Sequence, residues 1–247
     1  SAPSHGQVKK LDQITLSPKL DLDIGEMKKG ENKLPPNAKA LLGELMKYCV
    51  ERMTHPDMFK AAQDFRDDKD LPLNSTFLTF NRFVLVPEPG SRYTVNQADY
   101  IIAFGDAFVT AFKPVLEGPD RIVRLNATRL MAIAARSGAP AFAPLITNLI
   151  SNANTPPEVK YYAFKSAESL LAAYDIVKLS SPTPRDHTIK APELVALLNA
   201  IETNILDPTK FLTFPQGVDP KQPPPELGSV VTYIDRKSTR LNSSHRT

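Results

Sequence analysis

The chain has 247 residues, 42% of them hydrophobic, with 30 lysines and arginines against 27 aspartates and glutamates. This composition excludes collagen-like, disulfide-framework and wholly disordered proteins, and the single cysteine excludes an internal disulfide. No apolar run approaches the ~18 residues that a membrane-spanning helix needs. The length suits one large domain or two small ones with a sizeable core.

Residues 1–36 mix lysine, aspartate, glycine and proline, and the alternating piece Leu20–Ile24 has the period of extended chain. We therefore predict an extended or poorly ordered lead-in over 1–36. The chain opens on small residues without an initiator methionine, which fits the mature end left by a signal peptidase, a trimmed end or a break in the gene. Of these we favour export, to the periplasm or the cell exterior.

Residues 37–97 predict an irregular helical region. Apolar residues at helical spacing define one face of its first helix: Leu42, Leu45, Met46, Cys49 and Met53. On this face Cys49 is predicted to be a buried, inert thiol. Further on, Thr54–Asp57 is typical of a helix start, 81–86 fits a short strand or the end of a helix, and Thr94–Gln97 is a capping box.

Residues 98–210 carry the strongest helical signal. Five amphipathic faces follow one another, over 101–115, 123–134, 142–150, 159–174 and 194–205. Gly118–Asp120 and Ser137–Gly138 separate successive helices, and Thr155–Glu158 is predicted to be a second capping box. We therefore expect helical hairpins over this part of the chain.

A repeated pattern links two of these helices. The pattern of Asp120–Ala127 recurs 36 residues later in Pro157–Ala163, with valine, a cation and then alanine at matching positions. Such a period, with two helices in each unit, is typical of α-solenoids, and the small alanines let helices approach closely. The first segment resembles the second helix of a HEAT repeat, and the second resembles it more loosely. Over 98–206 the resemblance, shared with uncharacterised exported bacterial HEAT-like proteins, implies an all-α fold: a short α-solenoid of HEAT-like hairpins.

The C-terminal residues divide into two segments. Clustered prolines over 211–234 predict a linker or long loop. Residues 235–245 resemble, residue for residue, the translation of a common short-read sequencing adapter, so we interpret 235–247 as an artefact. The net charge of this tail is +3, which equals the net charge of the whole chain, so residues 1–234 are neutral. We expect the natural chain to continue beyond Ile234.

Residues with catalytic or metal-binding chemistry are scattered. The four histidines lie far apart: His5, His55, His187 and His245. They lack the spacing of a helical metal site, and the sequence has no phosphate-binding glycine loop or nucleophile elbow. The cluster Asp67, Asp68 and Asp70 lacks the glycine and distal glutamate of a calcium loop and is interpreted as a solvated turn. We therefore predict no metal, no cofactor and no catalytic residue.

The repeat places two pairs of cations on adjacent helices: Arg124 with Lys160, and Arg129 with Lys165. One interpretation is a basic stripe that binds phosphates or an acidic partner. The other, favoured because residues 1–234 are neutral, is a structural ladder in which these cations pair with Asp120 or Glu158. The neighbouring Tyr161 and Tyr162 are of a type enriched at interfaces, so all six side chains form a candidate partner surface.

These observations favour a non-enzymatic scaffold that presents a helical surface to a protein or peptide partner. A HEAT-like DNA glycosylase would need a strongly basic groove, so nucleic acid is disfavoured as a partner. A further alternative is the helical arm of a longer enzyme whose catalytic domain lies elsewhere, because solenoids host many functions. The sequence leaves the oligomeric state open.

Overall fold

The computed structural model describes residues 10–58, 72–88, 90, 93–180 and 188–206. Over these residues the chain is all-helical, with eight α-helices and no β-strand, which confirms the predicted all-α class. The helices are α1 (Pro18–Lys29), α2 (Ala38–Met53), α3 (Pro72–Phe83), α4 (Val95–Leu116), α5 (Arg121–Ala134), α6 (Phe142–Ser151), α7 (Pro157–Ser180) and α8 (Ala191–Leu206). Short 3₁₀ turns lie at Leu11–Gln13, Pro56–Met58 and Ala135–Ser137.

None of the described helices combines the length and the apolar character that crossing a bilayer requires. Several sequence predictions concern residues outside the described ranges: Asp67, Asp68 and Asp70, His5, His187 and His245, and the segments 211–234 and 235–247.

The predicted extended lead-in is wrong for α1. Ser17 caps this helix by accepting a hydrogen bond from the Leu20 N–H, and proline occupies its first position. The residues Leu20, Ile24 and Met27 are buried, and they recur with the spacing of one helical face. The alternation over Leu20–Ile24 therefore fitted a helix as well as a strand.

The end of α1 is joined to the start of α4. The capping box predicted at Thr94–Gln97 is formed, because each side chain accepts a hydrogen bond from the other residue's backbone N–H. The Thr94 side chain also donates a hydrogen bond to the carbonyl of Gly30, and the Gln97 side chain donates one to the carbonyl of Lys29. Each of these two bonds is 3.2 Å long. With φ at +70°, Gly30 takes the left-handed conformation that closes α1. A Cβ at Gly30 would lie only 2.3 Å from Cγ of Gln97.

The predicted apolar face of α2 is fully buried and packs along α4.

An aromatic cluster joins α3, α4 and α6 in the core. The large buried rings of the core are Phe80, Phe83, Tyr100, Phe104, Phe108, Phe112 and Phe142. Phe108 stacks on Phe112 at 4.3 Å and meets the edge of Phe142 at 5.3 Å. Where α4 passes the chain entering α6, a Cβ on Gly105 would lie 2.5 Å from that of Ala139.

Helices α5 and α7 run parallel, side by side. At one end Arg121 forms an ion pair with Glu158, which lies 37 residues further along the chain. At the other end Arg136 lies near Glu168 and Ala172 of α7. The small residues Ala127 and Ala163 are fully buried between the packed helices. Helix α6 packs against both α7 and α8.

Three local predictions have different outcomes. The capping box predicted at Thr155–Glu158 is wrong, because the Thr155 hydroxyl oxygen is buried without a hydrogen-bond partner. Residues 81–83 are the end of α3, and the chain leaves the helix at Val84. The helix start predicted at Thr54–Asp57 begins a single 3₁₀ turn within the described residues.

Candidate partner-binding surface

Arg129 lies between two aromatic rings on different helices. Its guanidinium carbon is 5.1 Å from the ring centroid of Phe77 on α3 and 5.8 Å from that of Tyr162 on α7. One guanidinium nitrogen also donates a 3.1 Å hydrogen bond to the side-chain oxygen of Asn126. These contacts hold a cation in a fixed position at the junction of α3, α5 and α7.

The adjacent turns of α7 carry the rest of this surface. The rings of Tyr161 and Tyr162 meet edge to face, with centroids 5.0 Å apart. One turn further, the ammonium of Lys165 forms a 3.1 Å ion pair with Glu168. All these side chains are half-buried, so each offers part of its surface to a partner. We call Phe77, Arg129, Tyr161, Tyr162 and Lys165 the aromatic–cationic surface.

Arg124, predicted to belong to the same stripe, lies elsewhere. Its Nε donates a 2.8 Å hydrogen bond to the carbonyl of Leu116, the last residue of α4. A cation there satisfies an unpaired carbonyl and complements the negative end of the helix dipole. Arg124 therefore ties α4 to α5, and the structure does not group it with Lys160.

The prediction that Lys160 belongs to an accessible surface is wrong. Only 3% of this residue is exposed, because it lies on a broad buried face of α7 with Val159, Ala163 and Phe164. Burial lowers the pKa of the Lys160 ammonium from its ordinary value. Within the described part of the chain, the ammonium has neither a hydrogen bond nor an ion pair.

The predicted acidic partners of the ladder have other roles. Asp120 caps α5, accepting hydrogen bonds from the backbone N–H groups of Ile122 and Val123. Glu158 pairs with Arg121, a residue that the repeat alignment did not single out. A charged link between α5 and α7 therefore exists, but with a different cation.

A shallow groove adjoins the aromatic–cationic surface. Its volume is about 300 Å³, and it lies between the extended chain after α3 and one side of α7. The lining residues are Val86, Pro87, Arg136, Glu168, Ser169, Ala172 and Ala173. Because Glu168 both lines the groove and binds Lys165, the groove and the surface are continuous.

Two residues of this region, Phe77 and Arg136, were not predicted from the sequence. Phe77 belongs to a stretch whose apolar pattern was ambiguous, and only its position three residues before Phe80 pointed to a helix. Arg136 donates a 3.3 Å hydrogen bond to Asn81, a contact between residues 55 apart that no local pattern reveals.

The remaining reactive side chains do not assemble into a site. In the described ranges no three histidine, cysteine, aspartate or glutamate side chains lie close enough to hold a metal ion. Cys49 is fully buried, and burial raises the pKa of its thiol. The ring nitrogen Nδ1 of His55 accepts a 3.1 Å hydrogen bond from the Asp57 N–H.

No protein-family model matches the chain, and neither a curated protein nor a solved structure matches it.

Proposed function

We propose that this chain is a protein-interaction module, a short HEAT-like α-solenoid that presents the aromatic–cationic surface to a protein or peptide partner. The position of Arg129 between the rings of Phe77 and Tyr162 is the observation that carries this proposal. Tyrosine and arginine are the residue types most enriched among the side chains that dominate binding energy at interfaces.

The solenoid part of the proposal is supported by the arrangement of α5 and α7. Their parallel alignment joins residues 37 apart at Arg121 and Glu158, close to the period of 36 in the sequence. Helix α6 contacts both α7 and α8, as expected of helices in a stack where each unit meets its neighbours.

Preorganisation supports a binding role for the surface. Holding a long side chain in one position costs conformational entropy, roughly 0.5–1.5 kcal/mol for each side chain ordered on binding. The two rings and the Asn126 oxygen already restrain Arg129 in the free chain, so a partner avoids much of this cost.

The charges indicate the chemistry of the partner. Arg129 has no acidic partner in the described ranges, and Arg136 adds a second guanidinium at the groove. Apolar lining from Val86, Pro87 and Ala172 suits an aliphatic side chain. We therefore expect a peptide segment in which an acidic residue lies next to an apolar one.

Selection from a displayed library of random peptides tests this proposal. We expect selected peptides to share an acidic and an apolar position. Their Kd should rise about tenfold, equivalent to ~1.4 kcal/mol, when Lys165→Glu reverses a charge on the surface. The matched control is Lys47→Glu on α2, because both lysines pair with a glutamate on the next turn of their helix. A failure to enrich any peptide, or equal effects of the two variants, would overturn the proposal.

A further inference from the structure

Helix α5 carries apolar side chains on the side opposite its buried face. Ala127 lies at the centre of the buried face. The opposite side carries residues three or four positions apart: Ile122, Leu125, Arg129 and Ile133. Ile122 is 54% exposed, whereas Leu125 and Ile133 are half-buried and pack in part against the core. We call these four residues the outer stripe of α5.

The outer stripe is continuous with the aromatic–cationic surface, because both contain Arg129. Single exposed apolar residues are normal on a protein surface, but a contiguous apolar patch marks an interaction site. Beside Arg129 the patch gains the ring of Phe77 from α3 and the ring of Tyr162 from α7. The outer stripe therefore extends the binding surface toward Ile122 and the start of α5.

Helix α7 packs beside α5 and has a polar outer side. Opposite its buried Ala163 lie Tyr161 and Lys165, both half-buried. The ring of Tyr161 meets that of Tyr162, which in turn contacts Arg129, so this polar row adjoins the outer stripe. An apolar row beside a polar row is complementary to an amphipathic partner.

The outer stripe is suited to a helical partner. The backbone groups of α5 are bonded within the helix or to its cap, so they offer nothing to the backbone of a partner. An extended peptide would leave the N–H and C=O groups that face α5 without partners, and the described ranges contain no β-strand to which it could add. A helical peptide satisfies these groups internally. From Ile122 to Ile133 the stripe is about 16 Å long, or about three helical turns.

The charge of Arg129 specifies one further feature of this helix. Its guanidinium has no acidic partner in the described part of the chain. The carboxylates of Glu158 and Glu168 on α7 are each bound to another cation. Because Arg129 lies in the middle of the outer stripe, a complementary carboxylate belongs in the middle of the partner's apolar face, where the pair is partly shielded from water.

We infer that the outer stripe of α5 binds an amphipathic helix of about three turns, with one carboxylate in the middle of its apolar face. The apolar side chains of this helix cover Ile122 and Leu125, its carboxylate pairs with Arg129, and its polar side lies toward α7 and solvent. This inference rests on the proposed function, because it names the conformation and chemistry of the partner that binds the same surface.

The test uses the full chain and the tightest peptide selected from a displayed library of random peptides of about four helical turns. We expect the ¹³Cα shifts of the labelled, bound peptide to be helical over about three turns. Ile122→Ser should raise the Kd of this peptide about tenfold, because it removes a buried aliphatic contact. The matched control is Val195→Ser on α8, where the valine is 55% exposed, and it should leave the Kd unchanged.

A second measurement tests the pairing with Arg129. Replacing the acidic residue of the peptide by its amide should raise the Kd about tenfold with the wild-type chain and leave it unchanged with Arg129→Met. The inference is overturned by extended shifts in the bound peptide, by equal effects of Ile122→Ser and Val195→Ser, or by an amide effect that persists in Arg129→Met. Each of these results leaves the proposed function standing, whereas a library that yields no binding peptide overturns both.

Discussion

The hydroxyl of Tyr100 donates a 2.8 Å hydrogen bond to the backbone carbonyl of Phe83, and both residues are buried. Phe83 is the last residue of α3, so no backbone N–H of this helix donates to its carbonyl. A side chain from α4 therefore satisfies a polar group that would otherwise remain unpaired in the aromatic core. Burial also raises the pKa of the Tyr100 hydroxyl well above its ordinary value.

Replacing this hydroxyl tests the contact directly. Tyr100→Phe keeps the ring but leaves the Phe83 carbonyl buried and unpaired, which should lower the free energy of unfolding by about 1–3 kcal/mol. Urea unfolding followed by circular dichroism measures the loss. The control is Tyr162→Phe, because the Tyr162 hydroxyl has no partner in the described residues. This variant should change the free energy of unfolding by less than about 0.5 kcal/mol. Equal effects of the two variants would contradict the assigned role of Tyr100.

The close contact at Gly105 gives a second prediction. Gly105→Ala places a Cβ 2.5 Å from that of Ala139, so α4 and the chain entering α6 must separate, at a cost of about 1–3 kcal/mol. In α2, Gly43→Ala meets nothing within 4 Å and should raise stability by up to ~1 kcal/mol through better helix propensity. Opposite signs of the two changes in Tm are expected. A stabilising effect of Gly105→Ala would show that α4 and the chain entering α6 are further apart.

The packing of α5 against α7 gives a third prediction. Ala127 and Ala163 are fully buried, so Ala127→Asp or Ala163→Asp would bury a charge without a partner and cost at least about 3 kcal/mol. Ala172→Asp, on the exposed side of α7, should stay within about 0.5 kcal/mol of wild type. Helical circular dichroism and the Tm measure these changes. A wild-type Tm for Ala163→Asp is incompatible with the helical face assigned to α7.

Alkaline pH should destabilise the chain. Burial, with the Glu88 carboxylate, raises the pKa of Tyr93 to about 12, and burial raises the pKa values of Cys49 and Tyr100 as well. The unfolded chain therefore loses these protons at lower pH than the folded chain does. Their contribution to stability is complete below about pH 8 and is lost as the pH rises through the folded pKa values. Urea midpoints between pH 7 and 11 measure this effect.

Each group adds at most about 1.4 kcal/mol per pH unit to the slope. The slope should be shallower in Tyr100→Phe, because that variant no longer carries the buried phenol. A urea midpoint that stays constant between pH 8 and 11 would exclude the burial of these groups.

Much of the helical organisation follows from apolar spacing. The face of α2 and the faces of α5 and α6 were predicted from sequence, and their apolar residues are buried in the structure. Helix α1 was missed because its alternating residues fit two periods equally well. Exposed Leu22 continued the strand-like alternation, although only Leu20 and Ile24 reach the core.

The candidate surface was less predictable because equivalent repeat positions have different neighbours. Arg124 and Lys160 follow the aligned valines of the repeat, yet only Arg124 meets the free carbonyl at the end of α4. Which cation finds a partner depends on the preceding helix, and the repeat pattern contains no information about that helix. Phe77 reaches Arg129 from α3, more than one helix away in the chain.

The attachments of α1 have a consequence for folding order. Its hydrogen bonds to later segments join residues 54 to 68 positions apart: Lys28 with Arg82, Asp21 with Arg82, Gly30 with Thr94, and Lys29 with Gln97. The contacts of α5 with α7 close a loop of 37 residues. Because closing a longer loop costs more entropy, we expect α1 to dock late during folding. We also expect its amide hydrogens to exchange before those of the other helices. The helix that was not predicted from the sequence would then be the last element to join the folded chain.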